Sequence, residues 1–205
     1  VVAIECENVN ESKKVEEAVN NKLSEKYIVS MPELRKPRIK ITGIDRDGED
    51  DLTGDTLVES IKIQNEWMET AEITVVDIFR ARDNSYSAIL EANSDTFERC
   101  MKVKRLKILW SWCRLSEDLN VFRCFKCFGY NHKHPKCTNN VTCKIFARNH
   151  HHTVCRSKVE VCINCKVANE KYNAKLNANH EATSDKCPTY QRKLESERRK
   201  IQYSS

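Results

Sequence analysis

The sequence contains no run of 18 apolar residues and no signal-peptide pattern, so it predicts no membrane-spanning helix and no secretory leader. It also lacks a phosphate-binding loop and a paired acidic motif, and Cys113 has no convincing base beside it. We therefore expect a protein that is not an enzyme, with no catalytic residues, no small-molecule substrate and no membrane partner. Because the sequence begins with Val1 in a strand-like run and not with Met, we also expect a fragment of a longer protein.

The net charge of +5 conceals an asymmetry along the chain. Residues 1–120 hold 18 Lys/Arg and 24 Asp/Glu, whereas residues 121–205 hold 17 Lys/Arg and 6 Asp/Glu. The second part therefore carries a net charge of +11. A basic region that follows an acidic domain indicates a polyanionic partner, usually nucleic acid.

Cysteine and histidine are concentrated in the same basic region. Eight of the eleven cysteines lie from Cys124 onward, and so do all six histidines. Mixed Cys/His clustering without a secretory signal favours a metal site in a reducing compartment over disulfide bonds. We therefore expect an intracellular protein.

The first cluster has the spacing C-x2-C-x4-H-x4-C between Cys124 and Cys137. Two cysteines separated by two residues can turn tightly around one ion, and a histidine with a third cysteine completes a tetrahedron. Three thiolates and one imidazole with no open position are typical of structural Zn²⁺. Chance would rarely produce this spacing, so the cluster predicts a zinc knuckle, a short loop folded around one zinc ion.

Two further clusters follow with weaker spacing. The second, from Cys143 to Cys155, lacks one ligand because Phe146 occupies the place of a second cysteine. His151, His152 or water could supply that ligand, and we expect a degenerate knuckle. The third is C-x2-C-x14-H-x6-C, with a loop expected at residues 169–179. The expected zinc ligands of the three sites are Cys124, Cys127, His132, Cys137, Cys143, His150, Cys155, Cys162, Cys165, His180 and Cys187.

Aromatic and basic residues are interleaved with these ligands. Rings that face outward beside cations suit stacking on unpaired bases with phosphates held alongside, although a small core under the metal would use the same rings. Phe125 is the strongest candidate for stacking. The expected nucleic-acid-binding residues are Arg123, Phe125, Lys126, Phe128, Tyr130, Lys133, Lys136, Lys144 and Arg148. The basic segment from Tyr190 to Tyr203 fits equally a helix along phosphates or a solvated helix.

The region before the clusters predicts an α+β domain. Hydrophobic periodicity gives strands at 38–44, 72–80, 85–92 and 106–115 and helices from Thr53 to about Trp67 and from Ser94 to about Val103, the order βαββαβ. We expect a ferredoxin-like fold, also that of the RNA-recognition motif, preceded by a partial α/β unit with a helix from Asn8 to about Tyr27. The expected domains are 1–36 (end of a truncated α/β unit), 37–118 (ferredoxin-like domain), 122–190 (knuckle array) and 191–205 (basic tail).

The sheet of this domain lacks most of the rings with which RNA-recognition motifs stack bases. Aligned with that motif, Tyr86 keeps an aromatic ring, while Lys40 stands where a second ring is usual. Trp110 and Trp112 alternate in phase with Leu106 and Ile108, which predicts that both indoles lie in the core. We expect this domain to serve self-association more than base recognition.

The order of the clusters also resembles a known family. The run from Arg123 to Cys137, the shorter His-rich knuckle and the third half-site ending at Cys187-Pro188-Thr189-Tyr190 are similar to the Gag-like proteins of insect-type non-LTR retrotransposons, encoded by the first open reading frame. A segment similar to residues 33–41 precedes the knuckles in that family. The resemblance implies binding of the element's RNA and packaging into ribonucleoprotein particles, in the cytoplasm or nucleus. Phe146 departs from the family pattern.

The sequence thus predicts a zinc-dependent binder of single-stranded RNA or DNA. Two alternatives stay open at this level. A host RNA-processing factor would use the same knuckle chemistry, and a protein-interaction scaffold would bind partners without nucleic acid. Salt-insensitive binding of a protein partner would favour the scaffold.

Overall fold

The structure, a computed structural model, describes residues 4, 6, 9–23, 33–45, 52–81, 83–119 and 121–203. The chain divides into two compact units, Val1–Leu34 and Arg35–Ser205. In the first unit, helix α1 spans Val9–Leu23, which confirms the helix expected near the N-terminus. The strand-like run at Val1 and the rest of the expected partial α/β unit fall mostly outside the described residues.

The second unit contains a five-stranded antiparallel sheet with two helices beside it. Its elements are β1 (Arg38–Ile44), α2 (Gly54–Gln64), β2 (Ile73–Arg80), β3 (Tyr86–Ala92), α3 (Ser94–Val103), β4 (Arg105–Ile108), β5 (Ser111–Glu117), α4 (Ile163–Tyr172) and α5 (Pro188–Arg198). The strand order is β2-β3-β1-β5-β4, and every neighbouring pair is antiparallel. The expected α+β class is confirmed. No described helix is both long and apolar enough to cross a membrane.

The core of this unit lies between the sheet and helices α2 and α3. Ile39 and Ile41 of β1 are fully buried, and Leu57 and Ile61 of α2 and Phe97 of α3 belong to the same apolar cluster. Alternate residues of a strand point to opposite faces, so one face of the sheet carries this core and the other carries the remaining side chains. That second face matters below.

The two helices begin at side-chain caps. Thr53 caps α2 by a capping box with Thr56, and the Asn93 side chain accepts the Thr96 N–H at 3.0 Å to cap α3. Ser94, at which the expected helix begins, is the first helical residue. Helix α2 ends at Gln64 and a short 3-10 turn continues to Met68, because the Asn65 side chain bonds back to the Ile61 carbonyl.

The strand expected over Leu106–Leu115 is two strands joined by a turn at Leu109 and Trp110. Leu109 adopts a left-handed φ of 53°, and the chain reverses so that Ile108 pairs with Ser111 and Leu106 with Cys113. A two-residue turn therefore shifts the buried positions from even to odd residue numbers. The prediction that both tryptophans are core residues is wrong, since Trp110 is 82% exposed and Trp112 is 68% exposed.

The aromatic residue aligned with a base-stacking position is also placed differently. Tyr86 lies on the core face of β3 and is buried, whereas Ser87 and Ile89 occupy the other face. Lys40 lies on that other face, opposite Ile89 in the neighbouring strand. The usual stacking positions of an RNA-recognition motif therefore carry no aromatic ring here.

The C-terminal segment docks on the sheet domain. Arg198 donates to Glu117 from Nε at 3.3 Å and Nη2 at 2.9 Å, and Tyr203 donates its hydroxyl proton to the same carboxyl group. The Tyr203 ring packs on Phe97 with a centroid distance of 5.4 Å. Arg198 of the basic tail is therefore engaged in an ion pair with Glu117 of the sheet domain.

We expect Tyr203→Ala to lower the free energy of unfolding by about 2 kcal/mol, because it removes the ring contact with Phe97 and the hydrogen bond to Glu117. Tyr203→Phe keeps the ring and should cost about 1 kcal/mol. Urea unfolding of the whole chain measures both values. The control is Tyr172→Ala, since Tyr172 is 78% exposed on α4. Equal stability of Tyr203→Ala and the control would show that the tail does not dock.

Candidate metal centres and the surface of the knuckle array

The structure brings the four predicted ligands of the first cluster together. The ligand atoms of Cys124, Cys127, His132 and Cys137 all lie within 4.8 Å of one another. A tight turn places the two leading cysteines, with Phe128 N–H donating to the Cys124 carbonyl at 2.8 Å. Phe128 adopts a left-handed φ of 57° to close this turn. The arrangement can hold one metal ion in a closed site.

Backbone groups orient the histidine and one thiolate of this cluster. His132 Nδ1 lies 3.1 Å from the Tyr130 carbonyl, to which it can donate, so Nε2 is left to face Cys127 Sγ at 3.2 Å. Burial raises the pKa of Cys127, but hydrogen bonds from the Asn139 amide and the Gly129 N–H bring the pKa down to about 7. The thiolate that a metal needs is therefore favoured.

The third cluster also assembles as predicted, with Cys162, Cys165, His180 and Cys187 within the same limit. Cys187 Sγ lies 3.7 Å from Cys162 Sγ and 3.5 Å from Cys165 Sγ. Cys162 is the N-cap of α4 and Cys187 is the N-cap of α5, with Pro188 at the first helical position. The positive end of a helix dipole favours a thiolate at each of these positions.

Cys162 and Cys187 of this cluster lie close enough to shift each other's pKa. The hydrogen bond between Cys162 and Cys187 lowers the pKa of Cys187 to about 4, and the same bond, with burial, raises the pKa of Cys162. Neighbouring thiolates repel each other, and a cation at the centre of the cluster would remove this repulsion. The loop expected at residues 169–179 is shorter, because α4 continues to Tyr172.

The second cluster holds three predicted ligands, Cys143, His150 and Cys155. Its turn repeats that of the first: Ala147 N–H donates to the Cys143 carbonyl at 3.0 Å, and Ala147 has a left-handed φ of 54°. The backbone of a knuckle is thus kept although Phe146 stands in the ligand position. His150 Nε2 is buried without a hydrogen-bond partner among the described residues, which fits a nitrogen meant for a metal.

The fourth ligand of the second cluster is not one of the neighbouring histidines in this structure. His151 directs Nδ1 to the Thr153 hydroxyl at 2.8 Å, and its ring packs against His152. Phe146 instead lies under the Arg148 guanidinium, 4.9 Å from the ring centroid. Water is the remaining candidate that the sequence offers for the fourth ligand. A coordination position held by water is open to exchange.

All eleven cysteines are free thiols. Sulfur separations of 3.5 and 3.7 Å in the third cluster are far longer than a disulfide bond of about 2.05 Å. The expectation of metal ligands in preference to disulfides is confirmed to that extent.

The three clusters pack into one array. Phe128, from the first cluster, is only 7% exposed and lies in an apolar cluster with Cys162, Cys165, Ala182 and Cys187 of the third. The Asn164 side chain donates to the Phe128 carbonyl at 3.0 Å. Phe128 therefore has no face open to a base, and its predicted stacking role is wrong.

The second cluster is joined to both neighbours by backbone hydrogen bonds. Thr142 N–H donates to the Lys126 carbonyl at 2.9 Å, linking it to the first cluster. Ala182 N–H donates to the Lys144 carbonyl at 2.7 Å, and the Lys144 ammonium pairs with Glu181 at 3.4 Å, linking it to the third. Lys144 was predicted to bind nucleic acid, but it already has an ionic partner.

Arg123 and Tyr130 also serve the interior of the array. The Arg123 guanidinium lies 5.8 Å from the centroid of Tyr130 and 4.6 Å from that of Tyr190, and the two rings stack at 6.3 Å. Both predicted contact residues are half-buried. Their observed contacts hold α5 against the first knuckle.

The other predicted contact residues lie at the surface. Phe125 is 86% exposed although it directly follows a metal ligand. Lys133, Lys136 and Arg148 are exposed, and Lys126 donates its ammonium to the Cys137 carbonyl at 3.3 Å. Phe122 is a further exposed aromatic residue that the sequence analysis did not single out. Its ring centroid lies 4.9 Å from the Lys133 ammonium. Its position two residues before the first ligand was the available signal.

We expect the protein to retain two metal ions after mild chelation and a third only in excess metal, because the second cluster has three protein ligands. Phe146→Cys completes that cluster and should raise the retained number to three. The control is Ile145→Cys, which adds a thiol one residue away from the ligand position. Elemental analysis counts the ions. Retention of one ion or none by the unmodified protein would contradict the assignment of the third cluster.

The chain matches no model of a known protein family, and no curated protein or solved structure shows significant similarity to it. A proposal for the function of the chain therefore rests on the chemistry of the three clusters and of the surfaces around them.

Proposed function

We propose that the ion held by the clusters is Zn²⁺. A tetrahedral zinc site with Zn–S bonds of about 2.3 Å places two sulfurs about 3.8 Å apart and a sulfur and an imidazole nitrogen about 3.6 Å apart. The third cluster has sulfur separations of 3.5 and 3.7 Å, and Cys165 Sγ lies 3.6 Å from His180 Nε2. Thiolate and imidazole donors also suit zinc among the common cellular metals. Zinc in the closed sites would supply folding energy and no chemistry.

We infer that the array binds single-stranded nucleic acid, and RNA in particular. The observation that carries this proposal is the 86% exposure of Phe125 beside a closed metal site. A large ring that could have covered the metal lies in solvent instead, while Phe128 fills the interior. An exposed ring on a rigid basic support suits stacking on an unpaired base.

The charge of the array supports the same partner. Residues 121–205 carry a net charge of +11, and two Cys3His zinc sites would reduce this by about two. Lys133 and Lys136 lie within the first knuckle and are exposed, and neither is a predicted metal ligand. Lysines of this kind bind phosphates and release counterions, so affinity depends on salt concentration.

We propose a ferredoxin-like fold for the sheet domain and a Gag-like role for the whole chain. The strand order β2-β3-β1-β5 is that of the ferredoxin-like fold, to which β4 adds an edge strand. With the resemblance of the knuckles, this supports packaging of retrotransposon RNA into ribonucleoprotein particles. Self-association would help to build such particles.

A non-enzymatic role is part of this proposal. Burial raises the pKa of Cys100 to about 12, and burial with the nearby Asp45 raises the pKa of Cys113 to about 11. Neither thiol is therefore an activated nucleophile at neutral pH. The remaining cysteines outside Cys6 are ligands of the three clusters.

We expect Phe125→Ala to weaken binding of a single-stranded RNA by about 1–3 kcal/mol, the loss typical of one base stack. Fluorescence anisotropy with a labelled 20-nucleotide RNA measures the Kd, and elemental analysis verifies that the zinc content is unchanged. Tyr172→Ala is the matched control, because it also removes an exposed ring from the array. If both variants lose affinity equally, general aromatic content and not the first knuckle determines binding.

We also expect the double variant Lys133→Glu/Lys136→Glu to bind all single-stranded sequences more weakly. Each lost phosphate contact should reduce the slope of log Kd against log salt concentration by about one. Lys62→Glu on α2 provides a control of single charge reversal away from the array. A slope that is the same in the double variant and the unmodified protein would contradict phosphate binding at these lysines.

A further inference from the structure

The face of the sheet that does not carry the core displays cations and two aromatic rings. One row of paired residues crosses all five strands on this face. It runs from Phe79 on β2 through Ser87 on β3, Thr42 on β1 and Arg114 on β5 to Arg105 on β4. We call the side chains on this side of the five strands the open face. Helices α2 and α3 pack on the other side.

The edge strand β4 and its neighbour β5 concentrate the charge of the open face. The cross-strand pairs are Lys107 with Trp112 and Arg105 with Arg114, and all four side chains are exposed. Directly opposed residues in an antiparallel pair lie about 5 Å apart, so the indole of Trp112 has cations beside it. Three cations and one ring form a continuous patch.

The edge of this patch is held in place by the helix layer. The Asn65 side chain donates to the Lys107 carbonyl at 2.8 Å and accepts the Lys107 N–H at 3.1 Å. These bonds satisfy backbone groups on the outer edge of β4, which would otherwise be available to pair with another strand. The patch therefore has a fixed backbone, and strand addition at this position is blocked.

Among the described residues, the open-face positions of β4 and β5 carry no acidic side chain. Glu91 lies on the open face but pairs with Arg38 at 3.2 Å, and Glu117 is bonded to Arg198. Asp77, on β2, lies three strands away from β5. The negative sum over residues 1–120 therefore does not describe this part of the sheet, where Arg105, Lys107 and Arg114 lie together and the described Asp45 is bonded to Ser111.

A second ring extends the surface toward the opposite edge of the sheet. Phe79 lies on β2, and the Lys40 ammonium sits 5.6 Å from its centroid. Strands β2 and β5 are three spacings apart, a distance of about 14 Å. An extended polymer could contact both rings while crossing the sheet.

We propose that the open face is a second binding surface for single-stranded nucleic acid, in which Trp112 stacks on a base and Lys107 and Arg114 hold phosphates. Charge complementarity selects this occupant, since a second copy of the same face would oppose three cations with three cations. The exposure of an indole at 68% beside those cations is the arrangement used for binding of unpaired bases. The rings lie at positions other than those of an RNA-recognition motif.

The test uses the whole zinc-loaded chain and the same labelled 20-nucleotide RNA. Trp112→Ala should weaken binding roughly five- to a hundredfold, as expected for one lost stack. Lys107→Glu/Arg114→Glu should weaken it further at low salt and by less at high salt. Ile63→Ala, an exposed apolar residue on α2, is the control and should leave the Kd unchanged. Circular dichroism and zinc content verify folding of each variant.

A second readout reports on Trp112 directly. In Trp67→Phe/Trp110→Phe, the indole of Trp112 is the only one left, and its emission should be quenched by RNA with the same Kd as the anisotropy curve. Loss of affinity in Phe125→Ala but not in Trp112→Ala, with no quenching, would overturn the second surface and leave the knuckles as the binding site. No loss in either variant would contradict the proposed function as well. Loss of self-association in Trp112→Ala at unchanged RNA affinity, measured by sedimentation, would instead assign the face to contacts between copies.

Discussion

The packing of Phe128 against the third metal cluster determines the form of the C-terminal region. Short knuckles bury little apolar surface, so each one alone depends on its metal for folding. Here the ring of the first knuckle completes the interior of the third, and the Asn164 side chain fixes the backbone beside it. The left-handed conformation of Phe128 directs one ring inward while Phe125 stays in solvent. One contact thus separates the structural ring from the ring available to a ligand.

Helix α5 connects the array to the sheet domain. Helix α5 begins at a ligand of the third cluster, and its far end places Arg198 and Tyr203 on Glu117 and Phe97 of the sheet domain. A metal bound at Cys187 would therefore position a helix whose other end docks on the sheet domain. The two candidate surfaces, one on the first knuckle and one on the open face, belong to one compact unit. A single strand of nucleic acid bound to both would gain affinity from their fixed linkage.

The sequence predicted which Cys and His side chains cluster, because a metal site requires particular residue types at short spacings. The β1, β2, β3 and α3 elements followed equally from local periodicity. The position of Trp112 did not, because alternation continues through a two-residue turn and only the left-handed Leu109 reveals the reversal. Phe128 and Phe125 differ in backbone conformation and in tertiary packing, neither of which is evident from the local sequence. The charge sum of residues 1–120 likewise does not show which face of the sheet each charge occupies.

Photo-crosslinking tests the central claim most directly, because it reports which side chains touch the bound strand. The whole zinc-loaded chain would be irradiated with a single-stranded RNA that contains 4-thiouridine, and the adducts would be located by mass spectrometry. We expect adducts at Phe125 in the first knuckle, where the exposed ring lies beside the basic side chains of the array. Adducts that are absent from the entire segment between Arg123 and Cys137, at RNA concentrations that saturate the protein, would contradict this account.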